Sequence, residues 1–142
     1  VSRCGLRMDC EFTDSFLDQN DDEFNKYDCI VVDEAQFLTK KQVETLVHIA
    51  DDLDIPVICY GLRADFQNKL FEGSLYLLSW ADTIEEIKTI CWCGKKATCN
   101  ARIGADGKIM REGPQFLLGG NERYIPLCRK HFRSGQIKKE ED

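Results

Sequence analysis

The sequence predicts an α/β protein, a parallel-sheet core followed by a small C-terminal β domain built on a metal site. Three observations carry that prediction. A strand, helix, strand order runs from Cys29 to Gly61, which is a βαβ unit with two parallel strands. Two short pairs of ligand-type residues, Cys91-x-Cys93 and Cys128-x-x-His131, flank a stretch that reads as a hairpin. The chain also changes character at Cys91, where helical periodicity gives way to short strands and turns.

Composition narrows the possibilities. With 142 residues there is room for one domain with a real core, or a core plus a small module. Nineteen Lys and Arg against 25 Asp and Glu leave a formal charge of −6, so a surface that tracks a nucleic-acid backbone is not expected. No signal-peptide pattern and no apolar run of about 20 residues is present, and a soluble, cytoplasmic protein without a membrane partner is expected. Of the eight cysteines, Cys4, Cys10, Cys29 and Cys59 are dispersed, and the last two sit in apolar runs where a thiol behaves as a small hydrophobe. The opening at Val1, without Met and without a helix or strand pattern, predicts an internal fragment.

Taken in order, residues 1–26 read as a polar, acidic loop with one short helix around residues 15–20. Cys29-Ile30-Val31-Val32 has no alternating polar residue, the pattern of a strand buried on both faces. Thr39-Lys40-Lys41-Gln42 matches a capping box and starts a helix whose stripe is Val43, Leu46, Val47, Ala50 and Leu53, with His48 solvated. Asp54-Ile55-Pro56 ends it, and Val57 to Gly61 is the second buried strand. Residues 62–73 read as a loop or short helix and residues 74–81 as a short apolar helix. Residues 84–90 fit a strand or a helix continuation, with strand favoured. A strand over residues 97–103, a turn at residues 105–108 and a return strand complete the hairpin. Residues 113–120 form a loop with Gly at both ends, and residues 133–142 a charged tail. The domains expected are therefore 1–90, 91–132 and the tail.

Chemistry gathers at two places. Asp33 and Glu34 come where the first strand leaves the sheet, the side on which open α/β folds bind ligands. A carboxylate there can serve Mg²⁺ and its neighbour can handle a proton; a solvated acidic turn is the alternative. Cys91, Cys93, Cys128 and His131 together supply a Cys₃His set, and four protein ligands make a zinc site structural. Cys99 competes for a ligand place, though mid-strand it reads as a core thiol. Phe37, Phe66, Phe71, Phe116 and Tyr124 are aromatic material for a flat slot.

Asp33-Glu34-Ala35-Gln36-Phe37-Leu38, Cys59-Tyr60-Gly61-Leu62-Arg63-Ala64-Asp65-Phe66, Cys91-Trp92-Cys93-Gly94-Lys95-Lys96-Ala97 and Gly119-Gly120-Asn121-Glu122-Arg123-Tyr124-x-x-x-Cys128-Arg129-Lys130-His131 resemble the type II thymidine kinases, most closely the enterobacterial form. The resemblance runs from Ser2 to Phe132 and makes the tight Cys-x-Cys pair an expected variant. It implies a P-loop α/β kinase core and a zinc-binding lasso domain. The implied activity is transfer of the ATP γ-phosphoryl, with Mg²⁺, to the 5′-hydroxyl of thymidine or deoxyuridine in nucleotide salvage, by a homotetramer. It implies Glu34 as proton acceptor, Asp33 and Gln36 near magnesium and phosphate, and Phe37, Phe66, Leu117, Leu118, Gly119 and Tyr124 around the nucleoside. Cys91, Cys93, Cys128 and His131 match the zinc ligands. The family's Gly-x-x-x-x-Gly-Lys-[Ser/Thr] loop is not found within these residues, so the chain alone is expected not to turn over ATP. Two rival readings are a helicase-type P-loop ATPase and a non-enzymatic zinc-ribbon module using Lys95, Lys96, Arg102, Arg129 and Lys130 as a basic surface.

Overall fold

Residues 19–116 and 122–138 are described by a computed structural model. The expected N-terminal helix falls mostly outside them. A one-turn helix α1 (Asp21–Phe24) lies just after it, with the Asn20 side chain accepting from the Glu23 amide. Strand β1 (Ile30–Val32) and strand β2 (Val57–Cys59) pair in parallel, Ile30 opposite Val57 and Val32 opposite Cys59. Helix α2 (Lys40–Asp51) connects them, so the βαβ unit stands as expected.

The start of α2 is decided locally and its facing by packing. Thr39 Oγ1 accepts from the Gln42 amide and Gln42 Oε1 accepts from the Thr39 amide, closing the capping box. Such a cap contributes about 1 kcal/mol. Burial of a large aliphatic side chain outweighs it, since truncating one to Ala costs about 2–5 kcal/mol. The buried stripe is Val43, Leu46 and Ile49, with Val47 and Ala50 only partly covered, so it is rotated from the expected one toward Ile49, which is fully buried. The core around it holds Phe24, Ala35, Leu38 and Ile55.

The strands themselves depart from expectation. Val31 is 62% and Ile58 45% exposed, so β1 and β2 are covered on one face only among the described residues. Cys29 is exposed and does not act as a core thiol. Cys59 does, and burial pushes its thiol up to about 11, which leaves it unreactive.

His48 is exposed, as expected, but it is not unpartnered: Nε2 lies 3.0 Å from Asp21 Oδ1 and Nδ1 2.6 Å from Asp52 Oδ2. Its pKa is raised, through the hydrogen bonds with Asp21 and then Asp52. A group raised on folding stabilises fully below its unfolded value of about 6.5 and loses that contribution as pH rises through the folded value. Asp21→Asn should therefore lower the His48 pKa in an NMR titration and flatten the stability profile just above pH 6.5; an unmoved pKa would remove the pair from the fold.

After β2, the chain turns back through an Ala64–Leu70 bridge into helix α3 (Glu72–Trp80), close to the helix expected. Gly73 is required there: a Cβ on it would lie 2.4 Å from the Ala35 carbonyl oxygen and 2.8 Å from that of Gln36. Of residues 84–90 only β3 (Thr89–Ile90) is strand, antiparallel to β4 (Lys96–Ala97). Strand β5 (Cys99–Ile103) makes the expected tight turn back, with the Met110 amide donating to the Arg102 carbonyl. Its longer partner is β6 (Arg123–Leu127), antiparallel, with Arg102 opposite Tyr124. Helix α4 (Arg129–Ser134) follows, and a second core forms from Cys91, Cys99, Ala101, Ile103, Leu127, Cys128 and Phe132.

Candidate functional site

The end of β1 is held against the end of β2 by backbone pairing: the Tyr60 amide donates to Val32 O and the Ala35 amide to Tyr60 O. Between them the chain must turn sharply, and Glu34 takes left-handed backbone, φ 51° and ψ 39°. For a residue other than Gly, Asn or Asp that conformation is costly, and such outliers cluster where a side chain must be aimed. The Glu34 amide donates to Asp33 Oδ1 at 2.9 Å. Gln36, buried in the one-turn 3₁₀ helix Ala35–Phe37, donates through Nε2 to Glu34 Oε2, and its Oε1 accepts from the Leu62 amide at 3.1 Å. Gln36 is thus a rigid bracket: one end reads β2's exit loop, the other fixes the exposed Glu34 carboxylate.

A second group is organised by a residue that sequence reasoning assigned to the surface. Arg102 is 1% exposed, which corrects its place in a basic outer face. Its guanidinium lies 3.8 Å from the centre of the Phe66 ring. Nε donates to Tyr124 Oη at 3.0 Å, Nη1 to Pro114 O at 2.7 Å and Nη2 to Gln115 O at 3.0 Å. Tyr124 Oη in turn donates to Glu122 Oε2 at 2.6 Å, and Glu122 Oε2 stands 3.7 Å from Arg102 Nε. Burial, then the Glu122 bond, raises the Tyr124 pKa against the opposing pull of Arg102. Glu122 Oε1 is buried with no hydrogen-bond partner among the described residues.

The loop at residues 113–116 joins the two groups. Gln115 Nε2 donates to Asp65 Oδ2 at 2.8 Å, while Phe116 meets Phe37 edge-on at 4.9 Å and Phe37 meets Phe71 at 5.6 Å. Of the expected nucleoside residues, Phe66 is buried against Arg102, Tyr124 is exposed beside it, and Phe37 is exposed and meets the loop through Phe116. Leu117, Leu118 and Gly119 lie outside the described residues. Asp65, Gln115, Glu122 and Arg102 were missed. The available signal was Arg102 itself, a charge between Ala101 and Ile103 in an otherwise strand-like run.

The four metal-type residues do meet. The ligand atoms of Cys91, Cys93, Cys128 and His131 all lie within 4.8 Å of one another. Cys91 Sγ and Cys128 Sγ are each 3.5 Å from His131 Nδ1, and Cys93 Sγ is 3.9 Å from Cys128 Sγ. The tight first pair is possible because Gly94 adopts φ 84°, letting its amide donate to Cys91 O while the Cys91 amide donates to Lys95 O. Cys128 precedes the first turn of α4, so Cys128 and His131 fall on one side of it. Trp92 stacks on the His131 ring at 4.2 Å and 17°, which sets the imidazole plane. Burial opposes ionisation of Cys91, but the amides of Cys93 and Cys128 and the His131 ring outweigh it and lower the thiol to about 6. Cys93 is raised: the Lys95 amide favours its thiolate, yet burial and the Cys91 and Cys128 sulfurs prevail. Three sulfurs and one imidazole gathered this closely are a donor set that can hold a metal ion such as zinc. Cys99 is outside it, a buried thiol that accepts from Asn68 Nδ2 at 3.2 Å.

Among the described residues no helix is long and apolar enough to cross a membrane. A family model described as "Thymidine kinase" matches residues 1–132. A thymidine kinase of Coxiella burnetii is 62% identical over 108 residues, covering 76% of this chain and 55% of its own length. Those of Shewanella oneidensis and Rhodopirellula baltica are 59% identical over 109 residues and 53% over 147, covering 77% and 100% of this chain. The chain spans a little over half the length of the first two relatives, 55% and 57%, and 70% of the third.

Proposed function

The chain belongs to the thymidine kinase family, and from that premise we propose that the protein it comes from transfers the ATP γ-phosphoryl to the 5′-hydroxyl of thymidine or deoxyuridine. The observation that carries this reading is Glu34, an exposed carboxylate in left-handed backbone at the carboxyl end of β1 with Gln36 fixing its orientation. Phosphoryl transfer asks little covalent chemistry of the protein and much positioning. In this reading Glu34 accepts the proton of the 5′-hydroxyl as that oxygen attacks, Asp33 serves the Mg²⁺ that travels with ATP, and Gln36 keeps Glu34 aimed. Mg²⁺, when bound, supplies charge neutralisation on the phosphates.

The nucleoside would lie in the slot of Phe37, Phe66 and Tyr124, closed by Leu117, Leu118 and Gly119. Cys91, Cys93, Cys128 and His131 would hold a structural zinc ion, the anchor of a lasso domain at residues 91–132 beside a P-loop core at residues 1–90. The two separate hydrophobic clusters support that division. A cytoplasmic homotetramer is the assembly proposed.

The relatives' names favour neither a helicase-type ATPase nor a free-standing zinc-ribbon module. The deciding assay supplies the complete gene product with thymidine and ATP and follows thymidine monophosphate; ATP turnover that depends on nucleic acid instead would replace this reading.

In this reading specificity would come from backbone groups meeting the base edge. Thymidine and deoxyuridine should be accepted within about a hundredfold of each other, since one methyl is worth only about 1–3 kcal/mol. Deoxycytidine should be refused, because its reversed donor and acceptor pattern leaves buried backbone groups unmatched. Comparable kcat/KM for deoxycytidine and thymidine would overturn the pocket.

A further inference from the structure

We propose that Arg102 is the positioning residue of the nucleoside slot, a clasp that holds the loop at residues 113–116 and the Tyr124 ring in their working places. This rests on the thymidine kinase reading above. Arg102 is 1% exposed, and its planar head is used on every side: the face covers Phe66 and three nitrogens donate to Tyr124, Pro114 and Gln115. Buried to that extent, it reaches no substrate itself. It acts through what it holds: Phe66 and Tyr124 of the proposed slot, Pro114 and Gln115 of the adjoining loop, and Glu122, which also binds the Tyr124 hydroxyl.

The choice of residue is informative. A buried guanidinium is a poor way to stabilise a core, because desolvating the charge offsets much of what its partners return. Its particular merit is a rigid fork that fixes several acceptors in one plane while stacking on a ring, which an ammonium cannot do. Two of the acceptors are consecutive carbonyls of the loop, so the fork determines the loop's path. The third is the Tyr124 hydroxyl, tied also to Glu122 at 2.6 Å, so the ring is set from both sides. Asp65 secures the same loop independently through the Gln115 side chain, and Phe37 meets it through Phe116. Losing the fork should thus loosen the loop while leaving it attached.

The experiment uses the complete gene product with zinc content and thermal unfolding measured first. In Arg102→Lys the charge stays and the fork is lost; the thymidine KM should rise at least about tenfold with kcat within about threefold, while the KM for ATP and one zinc per chain are unchanged. Tyr124→Phe keeps the ring and removes only the hydroxyl, and should raise the thymidine KM several-fold. The double variant should be less than additive, as expected of one network. Limited proteolysis reads the clasp without any substrate: cleavage within residues 111–116 should be faster in Arg102→Lys than in the parent. An unmoved thymidine KM in folded Arg102→Lys, or equal losses toward thymidine and ATP, would overturn the proposal. If Arg102→Lys does not fold, an unmoved thymidine KM in Tyr124→Phe overturns it instead. If the parent does not phosphorylate thymidine, the functional reading fails, and the proteolysis result alone decides whether Arg102 is a clasp.

Discussion

Glu34→Gln in the complete gene product should bind thymidine normally and lose about 10²- to 10⁴-fold in kcat, the usual worth of a positioned general base. The substitution preserves shape. The side chain stays in the same left-handed turn at φ 51°, and a carboxamide oxygen can still accept from Gln36 Nε2. What it removes is the ability to take a proton as the 5′-hydroxyl oxygen becomes a nucleophile. Carboxylates as a class are weak bases, so placement has to carry the contribution. The bracket made by Gln36 between Glu34 and the Leu62 amide supplies that placement. Binding measured by calorimetry and turnover measured by product formation separate the two roles. Near-normal kcat would remove Glu34 from the role of base, and weakened thymidine binding with intact kcat would make it a contact residue.

Cys128→Ser should release the metal and unravel the small β domain, while Cys99→Ser should keep about one zinc ion per chain. Cys128 is 6% exposed, one of the four metal-type donors and the residue that starts α4, so its substitution should remove a donor and expose the second core. Structural zinc contributes about 10–16 kcal/mol of apparent binding free energy in small domains, at least as large as the whole stability of a typical domain, about 5–15 kcal/mol. Residues 91–132 have only a modest core of their own, so the metal should decide whether they fold. Cys99 shares that core but points its sulfur at Asn68, outside the ligand set, and a serine there leaves the four donors intact. Metal analysis and near-ultraviolet circular dichroism, which reports the Trp92 and His131 stack, are the readouts. Stoichiometric zinc in Cys128→Ser would falsify the ligand assignment.

How much could be read beforehand depended on the range of the interaction. The Thr39 capping box and the Cys128-x-x-His131 pair are contacts between near neighbours in the chain, and residue type at short spacing specifies them. The α2 stripe was displaced by one position toward Ile49 because only the packed neighbours determine which edge of an apolar arc is fully covered. The β1 strand was expected to be covered twice, since an apolar run says that a strand can be buried and not what lies over it; Val31 is exposed.

The sequence by itself determined the kinds of local element, the two metal-type pairs and the acidic pair at the end of β1, because each is written in residues within a few positions of one another. Only the tertiary structure decided what those residues are held by. The left-handed backbone at Glu34 depends on β2 pairing beside it, and the aim of its carboxylate depends on Leu62, 26 positions from Gln36. The meeting of Cys91 with His131 spans 40 positions. Arg102 looked like surface charge because Lys and Arg usually are. Its burial required Phe66, Pro114, Gln115 and Tyr124 to arrive from three separate segments and satisfy a guanidinium that no local pattern could show to be enclosed.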